Sequence, residues 1–272
     1  MEQLENKKSY NEINDFLQNL PKNFSILQEE IDIEIQMAYF ERIKNFKKNI
    51  KIDIEELPIK IAGLNISETP EEEKKDILIQ LASVDDVKAY RAIEDFNKDT
   101  NVKTLKAWST LALQESRMMM ESSLLDESQV FISTGMGGKG DKLRYFIVGF
   151  LNDEIDFTDA QKNLLLKEFE YSLHQHNSEI EEIEFKNNFA LITALIPIKE
   201  PIKEILKNAI DECIALGMKL SEHFLVTNVK KMEIDEIQQF LNEQIEEDIS
   251  DEDFDDIPFD DNFDDIPFDD DL

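Results

Sequence analysis

Residues 180–196 read IEEIEFKNNFALITALI. Two runs typical of strands, Ile180–Phe185 and Phe189–Ile196, are separated by Asn187-Asn188. Asparagine tolerates a positive φ angle, which the central residues of tight hairpin turns require. The stretch therefore predicts a β-hairpin.

The flanking sequence predicts helices that pack on this hairpin. On its C-terminal side, Pro201 begins an amphipathic helix, and Gly217 is a suitable left-handed cap at its end. The apolar face of that helix consists of Ile202, Ile205, Leu206, Ala209, Ile210, Cys213 and Ile214. On the N-terminal side, Thr158 and Gln161 form a capping box for a helix that runs to about Asn177.

Further strands are predicted at Val130–Thr134, Leu143–Phe150 and Phe224–Val229. The resulting order, ββα-ββα-β, predicts a two-layer sandwich of about five strands with two helices on one face. We place this α+β sandwich domain at residues 127–247, with a short helix at about 233–247.

Residues 1–126 are predicted to form a helical region, so the chain as a whole is assigned to the α+β class. A capping box, Ser25 to Gln28, predicts an early helix start, and later helices are predicted at about 84–97 and 102–125. Successive short helices are typical of a bundle or of HEAT-like helix pairs, although no repeat of fixed period is present.

The composition of the chain indicates where the protein is located and which kinds of partner it can bind. The chain has one cysteine, Cys213, and no apolar stretch of membrane-spanning length, which predicts a cytoplasmic protein without a membrane partner. Its formal net charge is −32. Because Lys231 is the last basic residue, the carboxylates concentrate at the C-terminal end. Residues 248–272 are therefore expected to be a disordered acidic tail that phosphates repel, so it does not bind nucleic acid directly.

This tail carries a duplicated motif. Residues 254–261 read FDDIPFDD, and residues 263–270 repeat the same letters. Exposed isoleucine and phenylalanine do not help an acidic tail to remain solvated. These side chains are therefore predicted to be buried in a protein partner. The partner-binding residues are Asp255, Asp256, Ile257, Pro258, Phe259, Asp264, Asp265, Ile266, Pro267 and Phe268. The alternative is a low-complexity acidic tail.

The core of the motif, Asp-Asp-Ile-Pro-Phe, is similar to the acidic C-terminal tip of bacterial single-stranded DNA-binding proteins. That resemblance covers the tail alone, and it implies a partner whose hydrophobic pocket is ringed by Lys and Arg, as in DNA-maintenance factors. In that family the phenylalanine usually ends the chain, whereas Phe268 is followed by Asp269-Asp270-Asp271-Leu272. The body does not show the pattern of an OB-fold, so the tip is interpreted as mimicry or convergence.

A second candidate site is the glycine-rich segment 134–142, TGMGGKGDK. Glycine-turn amides can cradle an anion, and neighbouring cations would strengthen the binding. The candidate anion-binding residues are Gly135, Gly137, Gly138, Lys139, Gly140, Lys142 and Arg144. Asp141 follows Gly140 where a Walker A loop has lysine, so the segment is not that motif. The alternative is a long hairpin turn without a ligand.

The remaining candidates favour structural roles. His174 and His176 are spaced to face different sides of a helix, which argues against a metal pair, and Cys213 belongs to the predicted core. Glu115 and Arg117 are expected to face solvent. We therefore predict a non-enzymatic adaptor without a cofactor, which recruits basic-pocket partners through the duplicated tip. The alternatives are a phosphate- or nucleotide-binding protein or enzyme that uses residues 135–144, and an acidic DNA-mimic inhibitor.

Overall fold

The computed structural model describes residues 24–47, 54–125, 130–153 and 155–242. The described residues up to Lys231 belong to one compact unit, and a helix at 234–242 belongs to a second. The first half contains β1 (Phe24–Ile26), α1 (Ile33–Lys47), a 3-10 turn (Ile54–Glu56), α2 (Leu57–Asn65), α3 (Glu71–Ala82), α4 (Val87–Asp99) and α5 (Lys103–Leu125). The second half contains β2 (Val130–Ile132), β3 (Gly138–Lys139), β4 (Lys142–Phe150), α6 (Asp159–Gln175), β5 (Glu179–Lys186), β6 (Phe189–Pro197), α7 (Ile202–Ala215) and β7 (Leu225–Thr227).

The helical region is organised around α5, which packs against α1, α3 and α4. Its Trp108 is buried and meets the ring of Tyr39 edge-on, with the ring centroids 5.3 Å apart. Leu78, Ile93 and Leu111 are buried in the same core. Aromatic and branched side chains from four helices thus share one apolar centre, as the periodic apolar residues of this region predict. Among the described residues, no helix is both long and apolar enough to cross a membrane.

The larger sheet has the strand order β3-β4-β6-β5, and β7 also pairs with β4. β4 and β6 are antiparallel along their whole length, from Lys142 opposite Pro197 to Phe150 opposite Phe189. β5 and β6 form the predicted hairpin, and Asn187 at its turn has a φ angle of 55°. The hairpin prediction is therefore confirmed, together with the α+β class.

Helices α6 and α7 share a core with one face of this sheet. Phe169 and Leu173 of α6 and Ile205 and Ile210 of α7 are buried with the sheet residue Ile192. The predicted capping box of Thr158 and Gln161 begins α6, and Gly217, at φ 90°, follows the end of α7. These elements match their predictions because caps and one-sided apolar spacing are local signals.

The sequence pattern of each strand follows from its position in the sheet. β6 lies between two neighbours, and all its residues but the last are buried. β5 lies at an edge, where exposed glutamates alternate with partly buried apolar residues. Charged side chains on an edge strand discourage pairing with another chain. β6 therefore has the apolar composition of a central strand, and β5 has the charged composition of a protected edge strand.

Two sequence predictions about strands and helices are wrong. Ser25 does not begin a helix; it lies in β1, and the first described helix begins at Ile33, where the Asp32 carboxylate accepts a hydrogen bond from the Glu34 amide at 2.8 Å. The strand predicted at Val130–Thr134 is β2, which pairs in parallel with β1 and not with the larger sheet. Its place in the larger sheet is taken by β3, inside the segment interpreted as an anion-binding segment or a hairpin turn, while the strand predicted at Phe224–Val229 is β7. Local capping signals do not reveal a strand partner that is remote in sequence.

A small cluster joins β1 and β2 to the larger sheet. Ile26 is buried with Leu143 of β4 and with Ile198, and Val130 and Ile132 of β2 pack against them. Phe131 of β2 packs instead against the helical core. Because successive side chains of a strand point to opposite faces, β2 contacts both cores.

The start of α4 provides a test of the fold. Asp86 precedes α4, and its Oδ1 accepts hydrogen bonds from the Lys88 amide at 2.6 Å and the Ala89 amide at 3.3 Å. We expect Asp86→Ala to lower the free energy of unfolding by about 1 kcal/mol, because two helix-end amides lose their acceptor. Asp86→Asn keeps an acceptor oxygen and is the matched control. Urea titration followed by circular dichroism measures both; equal stability of the alanine variant and the wild type would contradict the assignment.

Candidate functional site

The predicted partner-binding residues of the tail, 255–259 and 264–268, lie outside the residues that the structure describes. Their role stays a prediction. The glycine-rich segment is described in full, so its geometry is the first part of the candidate site.

The main chain of this segment forms a buried turn, Thr134–Gly138, whose polar groups bond within the protein. The Met136 amide donates to the Asn228 carbonyl at 3.1 Å, and the Gly137 amide donates to the Thr134 carbonyl at 3.2 Å. The Gly137 carbonyl accepts from the Arg144 amide at 3.0 Å. An anion-binding turn needs amides that point at the ligand. These two amides instead donate to main-chain carbonyls of the protein.

The glycines of the turn are explained by close main-chain contacts. A Cβ atom built on Gly135 would lie 1.8 Å from the Val229 carbonyl oxygen, and one on Gly138 would lie 2.2 Å from the Lys142 carbonyl oxygen. Gly137 has a φ angle of 67°, and a Cβ atom there would lie 2.5 Å from the Glu29 carbonyl oxygen. Only glycine lets the backbones approach so closely.

The basic residues beside the turn are engaged by glutamates of β5. The Arg144 guanidinium binds the Glu181 carboxylate through Nε and through Nη2, the latter at 3.0 Å from Oε1. Its Nη1 donates to the Met136 carbonyl at 2.7 Å. The Lys142 ammonium lies 3.5 Å from a Glu179 carboxylate oxygen. Lys139 and Gly140 are exposed at the tip of the β3–β4 hairpin.

The electrostatics of the Arg144–Glu181 pair follow from this geometry. The hydrogen bonds from Arg144 hold the pKa of Glu181 below its ordinary value, and burial opposes the effect. Arg144 thus has bound partners on both sides, a carboxylate and a carbonyl. The contacts favour the structural interpretation of the turn, and anion binding by residues 135–144 stays a prediction.

A groove of about 610 Å³ lies beside the hairpin tip, between β1 and α5. The residues that line it on α5 follow one helical stripe: Thr110, Leu113, Gln114, Arg117 and Glu121. The other lining residues are Phe24, Ser25, Ile26, Gln28, Glu29 and Gly140. All three residues of β1 therefore border the groove.

Two polar side chains of α5 that line the groove are hydrogen-bonded within the protein. The Gln114 side-chain amide donates to the Ser25 hydroxyl at 3.1 Å, which ties α5 to β1. The Arg117 guanidinium donates to the Tyr90 hydroxyl at 3.4 Å. That hydrogen bond, with the carboxylates of Glu121 and Glu29 nearby, raises the pKa of Arg117. The expectation that Glu115 and Arg117 face solvent is correct for Arg117, which is exposed at the groove. It is wrong for Glu115, which is half-buried and accepts a hydrogen bond from the Tyr39 hydroxyl at 2.8 Å.

Sequence reasoning missed Ser25 and Gln114 as site residues. The sequence around Ser25 is typical of a helix cap, which conceals its place in β1, whereas Thr110, Gln114, Arg117 and Glu121 do share a helical pattern. Their spacing of three and four residues places them on one side of α5, which is a signal of a polar helix stripe that the sequence contains.

His176 and Cys213 lie in surroundings that favour structural roles. His176 ends α6, and its Nδ1 lies 2.6 Å from a Glu200 carboxylate oxygen. Cys213 is buried, and burial, assisted by Glu168 and Glu212, raises the pKa of its thiol to about 11. The thiol is therefore protonated at neutral pH and is a poor nucleophile. In the described part of the chain, no group of three or more His, Cys, Asp or Glu side chains is placed to hold a metal ion.

Comparison with known protein families finds no matching family model, and comparison with curated proteins finds no matching relative.

The close contact at Gly135 gives a prediction about the turn. Gly135→Ala should lower the free energy of unfolding by about 3 kcal/mol, because the added methyl group overlaps the Val229 carbonyl and forces the backbones apart. Gly149→Ala is the matched control, since its Cβ atom would meet nothing closer than 3.9 Å and should change stability by less than about 1 kcal/mol. Urea unfolding measures both variants. Equal stabilities would show that the Gly135 contact is not tight.

The lowered pKa of Glu181 gives a prediction about pH. A carboxylate whose pKa is lower in the folded protein stabilises it above the unfolded value, 4.5, and loses that effect as the pH falls through the folded pKa. Glu181→Gln should therefore be less stable than the wild type at pH 7, and the difference should shrink progressively below about pH 4.5. Glu170→Gln, at an exposed site on α6, is the control. A wild-type-to-variant difference that is constant with pH would contradict the ion pair.

Proposed function

We propose that this chain is an adaptor that recruits a protein partner through the two Asp-Asp-Ile-Pro-Phe copies in its acidic tail. The observation that carries the proposal is the identical repetition of eight residues, 254–261 and 263–270, in a segment otherwise dominated by carboxylates. Each copy combines an apolar anchor with flanking negative charge. The similarity to the docking tip of bacterial single-stranded DNA-binding proteins supports the same interpretation.

The physical chemistry of the motif is that of a weak, repeated ligand. Burial of one Ile–Phe pair contributes about 3–5 kcal/mol, and ordering the segment takes back about 2–5 kcal/mol. Proline restricts the preceding isoleucine to extended conformations, which reduces that ordering cost. A single copy therefore needs the aspartates to find Lys or Arg on the partner.

Two copies increase the affinity if two pockets are within reach. A stretch of roughly nine residues spans about 30 Å when extended, so neighbouring pockets on one partner, or on two subunits of it, can both be occupied. Once one copy is bound, the second binds at a high effective concentration. Duplication thus converts a weak contact into a durable one.

The contacts of the glycine-rich turn favour the adaptor over a phosphate-binding enzyme. Arg144 is held by Glu181 and by the Met136 carbonyl, and the turn itself is buried. A phosphate at Arg144 would have to displace these bonds, and the displaced carboxylate would repel it. The exposed Lys139 lies at the hairpin tip, outside the buried turn.

The acidic edge strand likewise gives little support to DNA mimicry. Mimicry requires free carboxylates on a rigid face, whereas the glutamates of β5 lie beside cations. Glu182 is 2.5 Å from the Lys231 ammonium, Glu184 is 2.8 Å from that of Lys186, and Glu179 and Glu181 pair with Lys142 and Arg144. The face therefore presents alternating charges.

The proposal predicts different effects for anchors and for charges. Phe259→Ala combined with Phe268→Ala should abolish partner capture by speeding dissociation at any salt concentration, because anchors determine the lifetime of a complex. Each single variant should retain binding weakened on the order of 100-fold, since it loses avidity alone. Asn at positions 255, 256, 264 and 265 should slow association and flatten its dependence on ionic strength.

The tail offers a matched control in Phe254→Ala combined with Phe263→Ala, which removes the same side chains outside the Ile-Pro-Phe cores. The partner is first identified by comparing capture by the intact chain with capture by residues 1–250, and rates are then measured by surface plasmon resonance. If the Phe259/Phe268 double variant binds as well as the wild type, the segment is only a solvating acidic tail.

A further inference from the structure

The groove beside β1 is bordered by a strand edge. Within the described part of the chain, β1 has β2 as its single strand neighbour. The Leu27 amide donates to the Ile132 carbonyl at 2.9 Å on that side. Because backbone directions alternate along a strand, the N–H and C=O groups of Phe24 and Ile26 point to the side opposite β2. Both residues line the groove.

The opposite wall is a helix, and the combination suits an extended peptide. A peptide that adds to a strand edge gains main-chain hydrogen bonds, while the neighbouring wall supplies contacts for alternate side chains. Here the wall is the α5 stripe, with Leu113 as an apolar contact between the polar Thr110 and Gln114. The volume of about 610 Å³ lies within the usual range of ligand sites.

Charge indicates what kind of peptide fits. The groove holds two carboxylates, Glu29 and Glu121, and one guanidinium, Arg117. The Arg117 guanidinium donates to the Tyr90 hydroxyl, and the two carboxylates outnumber it, so the lining of the groove has a net negative charge. Glu29 and Glu121 are both exposed at the groove. This balance disfavours nucleic acid and the chain's own aspartate-rich tail.

We propose that the groove between β1 and α5 docks an extended segment of a partner protein that carries a lysine or arginine side chain. The segment adds to the edge of β1 that faces away from β2, at Phe24 and Ile26, its apolar side chain contacts Leu113, and its cation lies beside the carboxylates of Glu29 and Glu121. This site is independent of the tail motif.

The experiment is a selection from a displayed library of random nonapeptides on the immobilised full-length chain, at near-physiological salt. We expect enrichment of peptides that combine Lys or Arg with β-branched residues and lack proline at the centre. The strongest peptide should bind the Glu29→Lys/Glu121→Lys variant at least about tenfold more weakly than the wild type, the loss expected for charges at a built site. It should also slow hydrogen exchange of the Ile26 amide.

The matched control is Glu170→Lys/Glu204→Lys, which reverses two exposed charges on α6 and α7 and leaves the groove intact. Binding by this variant should stay within about twofold of wild type. Equal losses in both charge-reversed variants would overturn the proposal, because they would show general attraction to an acidic chain. Enrichment of acidic peptides, or unchanged exchange at Ile26, would overturn it as well. The Phe259→Ala/Phe268→Ala chain should retain the peptide, so failure of the tail proposal is separable.

Discussion

Main-chain contacts at the turn Thr134–Gly138 connect the beginning of the helical region with the segment that follows β7. The Gly135 carbonyl accepts from the Ile31 amide at 3.1 Å, and the Thr134 carbonyl accepts from the Gln36 side chain at 3.0 Å. The Val229 carbonyl oxygen occupies the space that a side chain on Gly135 would need. The turn therefore contacts the entry to α1 and the segment after β7 at once. Because buried amides and carbonyls must find partners, a shift at this point would break bonds in both.

The sequence predicts those parts whose signals are local. The hairpin at Asn187, the capping box at Thr158 and the one-sided apolar face of α7 each depend on neighbours within a few residues. β1 and β2 depend on each other across the whole helical region and are each three residues long, too short for a periodic pattern. Likewise, the sequence shows that Gly135 and Gly137 lack a side chain, but not that the Val229 and Glu29 carbonyls fill the space. The same glycines suit an anion site or a tight contact, and only the fold distinguishes them.

Both proposed recognition surfaces select partners of one electrostatic kind. The tail requires a pocket with a basic rim, and the groove accommodates a cationic extended segment. A net charge of −32 adds long-range attraction that speeds encounter with such partners and repels nucleic acid. The tail, as proposed, supplies repeated weak anchors, whereas the groove supplies one site of fixed geometry. A partner that engages both would be held by contacts with different dependence on salt.

The parallel pairing of β1 with β2 makes the helical region a crossover connection, since α1–α5 all lie between the two strands in the chain. Closing such a long loop in an unfolded chain costs entropy that rises with the logarithm of its length. α3, α4 and α5 contact one another as neighbours in sequence, so they shorten the loop before the strands meet. We expect β1 to join last during folding and to open first. A peptide that binds at its edge would bind only the fully assembled state, and would raise the stability of the whole unit by mass action.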